Sequence, residues 1–289
     1  MSPLVIDVPE RYDFWGTTRW VGPVTAWEAR SVLWWATTTP SGPATLRMTH
    51  AEVGRVHAEA WGDGAEWMLA QARRVLGLDD EPWSFTPAPG LVADLARRAA
   101  GVHLARTDRV HEALVVAVLG QKVQSDAARH SLRQLAFRHG AKAPGPRELH
   151  LVPTPRVLAS LDYAAFHPCN VERGRAERIL AVSGRAAWAE SRREAQELQL
   201  LPGVGAWTAA VVAAGAWGDA DAVAVGDYHL PNTVCWALAG EPRGDDERML
   251  ELLEPYRGHR GRVVRLLMDA QIRAPKRGPR WGISNIRGW

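Results

Sequence analysis

The stretch from Leu198 to Asn232 constrains this chain more than any other. It opens with Leu198-Gln-Leu-Leu-Pro-Gly-Val-Gly-Ala-Trp-Thr-Ala209, continues through an apolar run, and closes with Val225-Gly-Asp-Tyr-His-Leu-Pro-Asn232. A polar helix ends at Leu200 and Leu201, Pro202-Gly203-Val204-Gly205 makes a hairpin, and a second helix is expected from Ala206 to Trp217. Glycine at 203 and 205 permits left-handed backbone angles and close approach by another chain. The hairpin amides, backed by a helix N-terminus, would form a donor cluster suited to a phosphate oxygen. That second helix runs about 18 Å at ~1.5 Å per residue. The segment 218–226 can extend roughly 30 Å, enough to return Asp227 beside the hairpin. A phosphate-gripping turn and a carboxylate in one cleft suit an attack on a sugar within a held nucleic-acid strand. Each half also has a simpler reading: Pro-Gly-Val-Gly as a helix C-cap and turn, and Asp227 as the N-cap of the helix that follows it. The cap and the catalytic roles are compatible, because backbone donors would hold the capping carboxylate in its charged form.

The rest of the chain sets bounds on this reading. With 289 residues it has room for two or three subdomains and a sizeable core. No window approaches the ~20 apolar residues of a membrane helix. Met1 to Trp20 mixes acids, proline and aromatics unlike a signal peptide, so a cytoplasmic, nucleoid-associated protein is expected, without membrane partners. The two cysteines, Cys169 and Cys235, stand in no paired motif. That argues against a cysteine-built zinc site or a four-cysteine iron–sulfur cluster. Net charge is +3, but residues 1–100 carry nine Arg against twelve Asp or Glu, which leaves +6 on the remainder. A polyanion would be drawn to the C-terminal two-thirds.

In chain order, residues 1–90 read as an α+β unit. Ser31 to Thr39 and Pro43 to Thr49 are β-rich runs joined by a hairpin at Pro40-Ser-Gly42, and a third run spans Arg55 to Trp61. An amphipathic helix over 64–76 would cover the sheet, with Trp34, Trp35 and Trp61 in the core. Glu81-Pro-Trp-Ser-Phe-Thr-Pro-Ala-Pro-Gly90 is a proline-rich boundary. Helices follow over 91–272: one from Arg109 to Leu119 capped by Asp108, one from Ser125 through His139, others near 171–183 and 186–200, then 228–239, 245–254 and 259–270. Residues 273–289 form a basic tail without periodicity, either a DNA-contacting extension or a solvated terminus.

Leu201-Pro-Gly-Val-Gly-Ala-Trp-Thr-Ala209 and Val225-Gly-Asp-Tyr-His229 together resemble the helix-hairpin-helix DNA glycosylases, in particular the 3-methyladenine DNA glycosylase II (AlkA-like) branch. Val110-His-Glu-Ala-Leu-Val-Val-Ala-Val-Leu-Gly-Gln-Lys-Val123 looks like the helix and turn that line that family's cleft, and the likeness runs from about residue 85 to 270. It implies an α+β fold: a small N-terminal antiparallel sheet with a helix, followed by an all-α core of two lobes with the cleft between them. It implies base excision repair of damaged double-stranded DNA by a monomer, with alkylated purines as substrates.

Residue by residue, the resemblance makes Asp227 the catalytic carboxylate. Trp207, Tyr256 and Gln121 line the base pocket, and Gly203, Val204, Gly205, Ala206 and Thr208 grip the strand. Gln121 and Lys122 form the turn that fills the vacated stack. Lys122 is a departure, since that position holds leucine in the best-known relatives. A lysine stem can pack between bases but is a poorer apolar plug. The resemblance further implies a monovalent cation, Na or K, on the backbone carbonyls of Gln199, Leu201 and Val204. Relatives that also cut the strand carry a lysine two residues after the second hairpin glycine. Trp207 stands there, which points to a monofunctional enzyme without lyase activity. Two other readings stay open: a glycosylase for oxidised or deaminated purines, and a non-catalytic DNA clamp in which Asp227 is only a cap.

Overall fold

A computed structural model describes residues 3–275 of the chain; the expected basic tail falls almost wholly outside them. Five antiparallel strands, β1 (Leu4–Asp7), β2 (Thr25–Glu28), β3 (Val32–Thr39), β4 (Gly42–Glu52) and β5 (Arg55–Trp61), lie in the order β1-β5-β4-β3-β2. The short helix α1 (Phe14–Thr18) follows β1, and α2 (Ala65–Val75) follows β5. The expected hairpin at 40–42 joins β3 to β4, with Trp35 opposite Leu46 and Leu33 opposite Met48. Those four side chains are buried with Met68, Ala72 and Val75 of α2, while Ala36 is buried on the opposite face, so β3 is covered on both sides. Trp35 is in the core. Trp34 stacks on Trp61 at 5.5 Å beneath the Arg47 guanidinium, and Trp61 is only half-buried. Trp61 therefore caps the sheet edge instead of filling its core.

Helices make up the remainder: α3 (Leu91–Arg98), α4 (Val110–Gly120), α5 (Ser125–His139), α6 (Pro155–Ser160), α7 (Tyr163–Phe166), α8 (Arg173–Gly184), α9 (Ala186–Glu190), α10 (Ala195–Leu198), α11 (Ala206–Val212), α12 (Leu230–Ala239), α13 (Asp246–Leu253) and α14 (Arg260–Asp269). Helix α4 is the hub. Val115, Val118 and Leu119 enter one core with Leu135, Phe166 and Ile179, while Val110, Leu114 and Ala117 enter another with Leu198, Leu201 and Val212. A helix buried on most sides belongs at the centre of a domain.

Three further expectations change. Asp108 does not cap α4; it has φ +51° and its carboxylate pairs with Arg74 at 3.0 Å. Glu190 caps the helix from α9, accepting from the Val110 and His111 amides at 3.1 and 3.0 Å. A remote carboxylate serves there as well as a local one, because the helix end asks only for acceptors. The helix expected over 186–200 breaks into α9 and α10. The run 206–217 is helical throughout, but its last turn widens to a π-turn over Ala213–Trp217 before Gly218 at φ +66°.

The sheet and the helices are joined by polar contacts. Thr37 Oγ1 donates to Glu112 of α4 at 2.6 Å, the Arg262 guanidinium pairs with Asp80, and Arg265 donates to the Gly16 carbonyl at 2.7 Å. His111, beside Glu112, is buried with its Nε2 3.0 Å from Ser183 Oγ. Burial, aided by the nearby Arg109 charge, pushes its pKa down to about 4. The ring is thus neutral in the fold and takes a proton once the chain unfolds. Its contribution is complete above the ordinary histidine value near 6.5 and is lost as pH falls from there toward 4, a loss of about 3 kcal/mol. Burial pushes the Glu112 carboxyl up, so its effect has the opposite sign and adds stability as pH falls. Calorimetry on wild type and His111→Gln isolates the histidine: between pH 7 and 4 the wild-type melting temperature should fall relative to that of the variant.

Candidate active site

The hairpin forms where the sequence placed it. Leu201 and Val204 are buried and tie the turn to the α4 core, with the Val204 amide donating to the Leu201 carbonyl at 3.1 Å. Pro202, Gly203, Gly205 and Ala206 face solvent. Gly203 sits at φ +78°, a left-handed value that a side chain disfavours. Nothing lies within 4 Å of where a side chain on Gly205 would start, so its outer face is open to an approaching backbone. No side chain caps α11 behind it, which leaves first-turn amides to an outside acceptor.

The α4–α5 turn docks on this hairpin. Gln121 donates through Nε2 to the Gly203 carbonyl at 3.0 Å and to Thr208 Oγ1 at 2.9 Å. Its amide is thus engaged in joining the two elements. Lys122 follows, exposed, at φ +58° and without an ion pair among the described residues. A left-handed lysine is uncommon, and such strain persists only where neighbours impose it. One of those neighbours is Arg175 of α8: 5% exposed, it donates to the Leu119 carbonyl at 2.8 Å and pairs with Glu172. It pins the end of α4 just before the turn. Gly120 comes close to Trp207, since a Cβ at 120 would lie 3.4 Å from the ring atom Cη2.

Asp227 is brought to the same place. Its Oδ2 accepts from Trp207 Nε1 at 3.0 Å, and its Oδ1 accepts from the His229 and Leu230 amides at 2.8 and 2.9 Å. The N-cap residue of α12 is His229 and not Asp227 as expected; from two residues earlier the Asp227 carboxylate accepts the amides that open the helix and at the same time holds the indole of α11. Three donors on one carboxylate fix its direction. The preceding loop is tied down twice. Asp246 accepts from the Gly226 amide at 3.1 and 3.0 Å, where Gly226 has φ +90°. Asp221 accepts from the Gly258 and Arg260 amides at 2.8 and 3.0 Å and pairs with the Arg260 guanidinium. Burial raises the Asp221 carboxyl, but its Arg260 and Gly258 hydrogen bonds outweigh that and hold it low.

Of the expected site residues, Asp227, Trp207, Gln121, Lys122, Gly203, Val204, Gly205, Ala206 and Thr208 converge. Tyr256 meets Phe85 edge-on at 6.3 Å and packs on the cluster of Leu230, Leu253 and Val263. Gln199 is exposed just past α10, and the Leu201 carbonyl already accepts one amide. Sequence reading missed Glu190, Asp246, Asp221 and Arg175, whose partners are remote in the chain. It also passed over Tyr228, 86% exposed immediately after Asp227 and 4.8 Å from the His229 ring. Among the described residues no three His, Cys, Asp or Glu side chains gather for a metal, both cysteines are buried, and no helix is long and apolar enough to cross a membrane.

No family model matches the chain. It is 32% identical over 180 residues to a protein of Mycobacterium tuberculosis described as a probable bifunctional transcriptional activator and DNA repair enzyme AlkA. The match covers 56% of this chain and 34% of that protein, so the chain spans about a third of the length of the curated relatives it matches. In fold it is similar to the 3-methyladenine DNA glycosylase of Archaeoglobus fulgidus, with a TM-score of 0.75 at 16% identity over 93% of this chain and 98% of that one. It is also similar to the Clostridium acetobutylicum 8-oxoguanine glycosylase/lyase, solved with double-stranded DNA, with a TM-score of 0.72 at 13% identity over 92% and 93%.

Proposed function

We propose that the chain is a helix-hairpin-helix DNA glycosylase of the AlkA-like branch, a reading supported by the similarities just given, and that it releases alkylated purines of the 3-methyladenine and 7-methylguanine type from duplex DNA, as a monomer and by hydrolysis. The observation that carries this reading is Asp227, locked by two amides and Trp207 Nε1 beside an exposed hairpin.

The hairpin amides around Gly203, Val204, Gly205 and Ala206, with Thr208 behind them, take a backbone phosphate. Carbonyls of Gln199, Leu201 and Val204 are neutral hard oxygens beyond a helix end, a donor set that fits a monovalent cation and not a thiophilic metal. Such an ion would supply positive charge for the same phosphate. Turning the nucleotide out costs a few kcal/mol, least for a damaged base. Lys122, presented on its strained turn, enters the vacated stack, and Gln121 keeps that turn on the hairpin. The Trp207 ring offers its face to a cationic base, and an alkylated base is already a good leaving group. As the bond to C1′ lengthens, the Asp227 carboxylate stabilises the oxocarbenium-like sugar and orients the water that adds to it. No amine stands two residues after Gly205, so base release does not pass through a covalent enzyme–sugar bond.

The test is base release from methylated duplex DNA, with strand breaks scored before and after alkali. Free 3-methyladenine or 7-methylguanine, and breaks only after alkali, is the expected result. Tight binding without release, or breaks that need no alkali, would overturn it.

A further inference from the structure

Arg178 of α8 lies outside every role given above. Its stem runs flat across the hairpin: a Cβ built on Gly203 would lie 2.6 Å from both its Cγ and its Cδ, and 2.9 Å from its Nε. Its guanidinium end reaches over Gly174, where a Cβ would lie 3.5 Å from Nη1 and 3.9 Å from Nη2. The side chain therefore bridges two glycines, half-buried along its length. Gly203 serves two ends, the left-handed turn and a flat bed for this arginine.

The charges around it are differently occupied. On the same helix, Arg173 lies 4.5 Å from the Tyr163 ring centre, and Arg175 is buried on the Leu119 carbonyl. The Glu172 carboxylate, with Oε1 3.8 Å from the same Cβ position on Gly174, is already paired with Arg175. Arg178 has neither an ion pair nor a hydrogen bond among the described residues. A guanidinium presents a planar fork that fits a phosphate bidentately. Packing has already restricted the stem, so less side-chain entropy remains to be lost on binding.

We propose that Arg178 is a side-chain phosphate ligand of the hairpin, gripping the DNA backbone next to Gly203. The inference rests on the DNA-binding reading above and adds to it a charged side chain beside the hairpin, whose own amides and carbonyls are neutral.

The experiment is fluorescence anisotropy with a duplex carrying a stable abasic-site analogue, titrated across a salt series with wild type, Arg178→Gln and Arg178→Lys. Arg178→Gln should weaken binding roughly tenfold at low salt and reduce the slope of log affinity against log salt by about 0.9, the signature of one lost phosphate contact. Arg178→Lys should recover the slope but only part of the affinity, because an ammonium cannot bind bidentately. A merely structural arginine would not move the slope. Wild-type binding with an unchanged slope in Arg178→Gln would overturn the assignment and leave the DNA reading standing. So would a lysine variant whose slope matches that of the glutamine variant. Wild type without salt-dependent DNA binding would remove both.

Discussion

Asp227→Asn is expected to lower single-turnover base release by about two to four orders of magnitude, the range typical of acid–base and electrostatic groups, with DNA affinity changed only a few-fold. Asparagine keeps the size of the side chain and one oxygen for the His229 and Leu230 amides. What it loses is the charge. It also turns an NH2 group toward Trp207 Nε1, a donor against a donor where a 3.0 Å hydrogen bond stood. That unmet donor should lower stability by about 1–3 kcal/mol, so the melting temperature is measured alongside the rate and the comparison is made on folded protein. A rate within threefold of wild type would mean that another carboxylate stabilises the sugar.

The second large effect falls on Trp207, for a reason that the ring's aromatic character does not supply. Trp207→Phe retains a flat aromatic surface but deletes the donor to Asp227. A hydrogen bond to a charged group is worth about 1.5–3 kcal/mol, which converts to roughly 10- to 100-fold in rate at ~1.4 kcal/mol per decade. Trp207→Leu removes the π face as well. Its further loss relative to Phe, measured on a cationic alkylated base and on a neutral one, reports how much the ring contributes by cation–π attraction. Full activity in the Phe variant would reduce Trp207 to packing between α11 and Gly120.

The same pair shows what could be read from the chain alone. Asp227 was legible because its amide partners are local: its carboxylate reaches amides two and three residues ahead, a geometry set by chain chemistry at that point. The hairpin was legible for the same reason, since glycine at 203 meets a backbone demand that few other residues satisfy. The strands were legible as β-rich runs on either side of a hairpin signal, and a resemblance of motifs supplied the rest of the site.

Other features were decided by which faces meet. Glu190 caps α4 in place of Asp108, Gln121 spends its amide on Gly203, and Arg175 holds Leu119 from across the lobe. Trp207 turns its N–H to the carboxylate, and Tyr256 packs on Phe85. A helix end, an amide or an indole N–H needs a partner, and the residue type states that need. It does not state the address. By itself the sequence determined the hairpin turn and the carboxylate; only the tertiary structure decided the remote partners, the cap of α4 among them, because a hydrogen bond between distant segments depends on packing that brings two faces together.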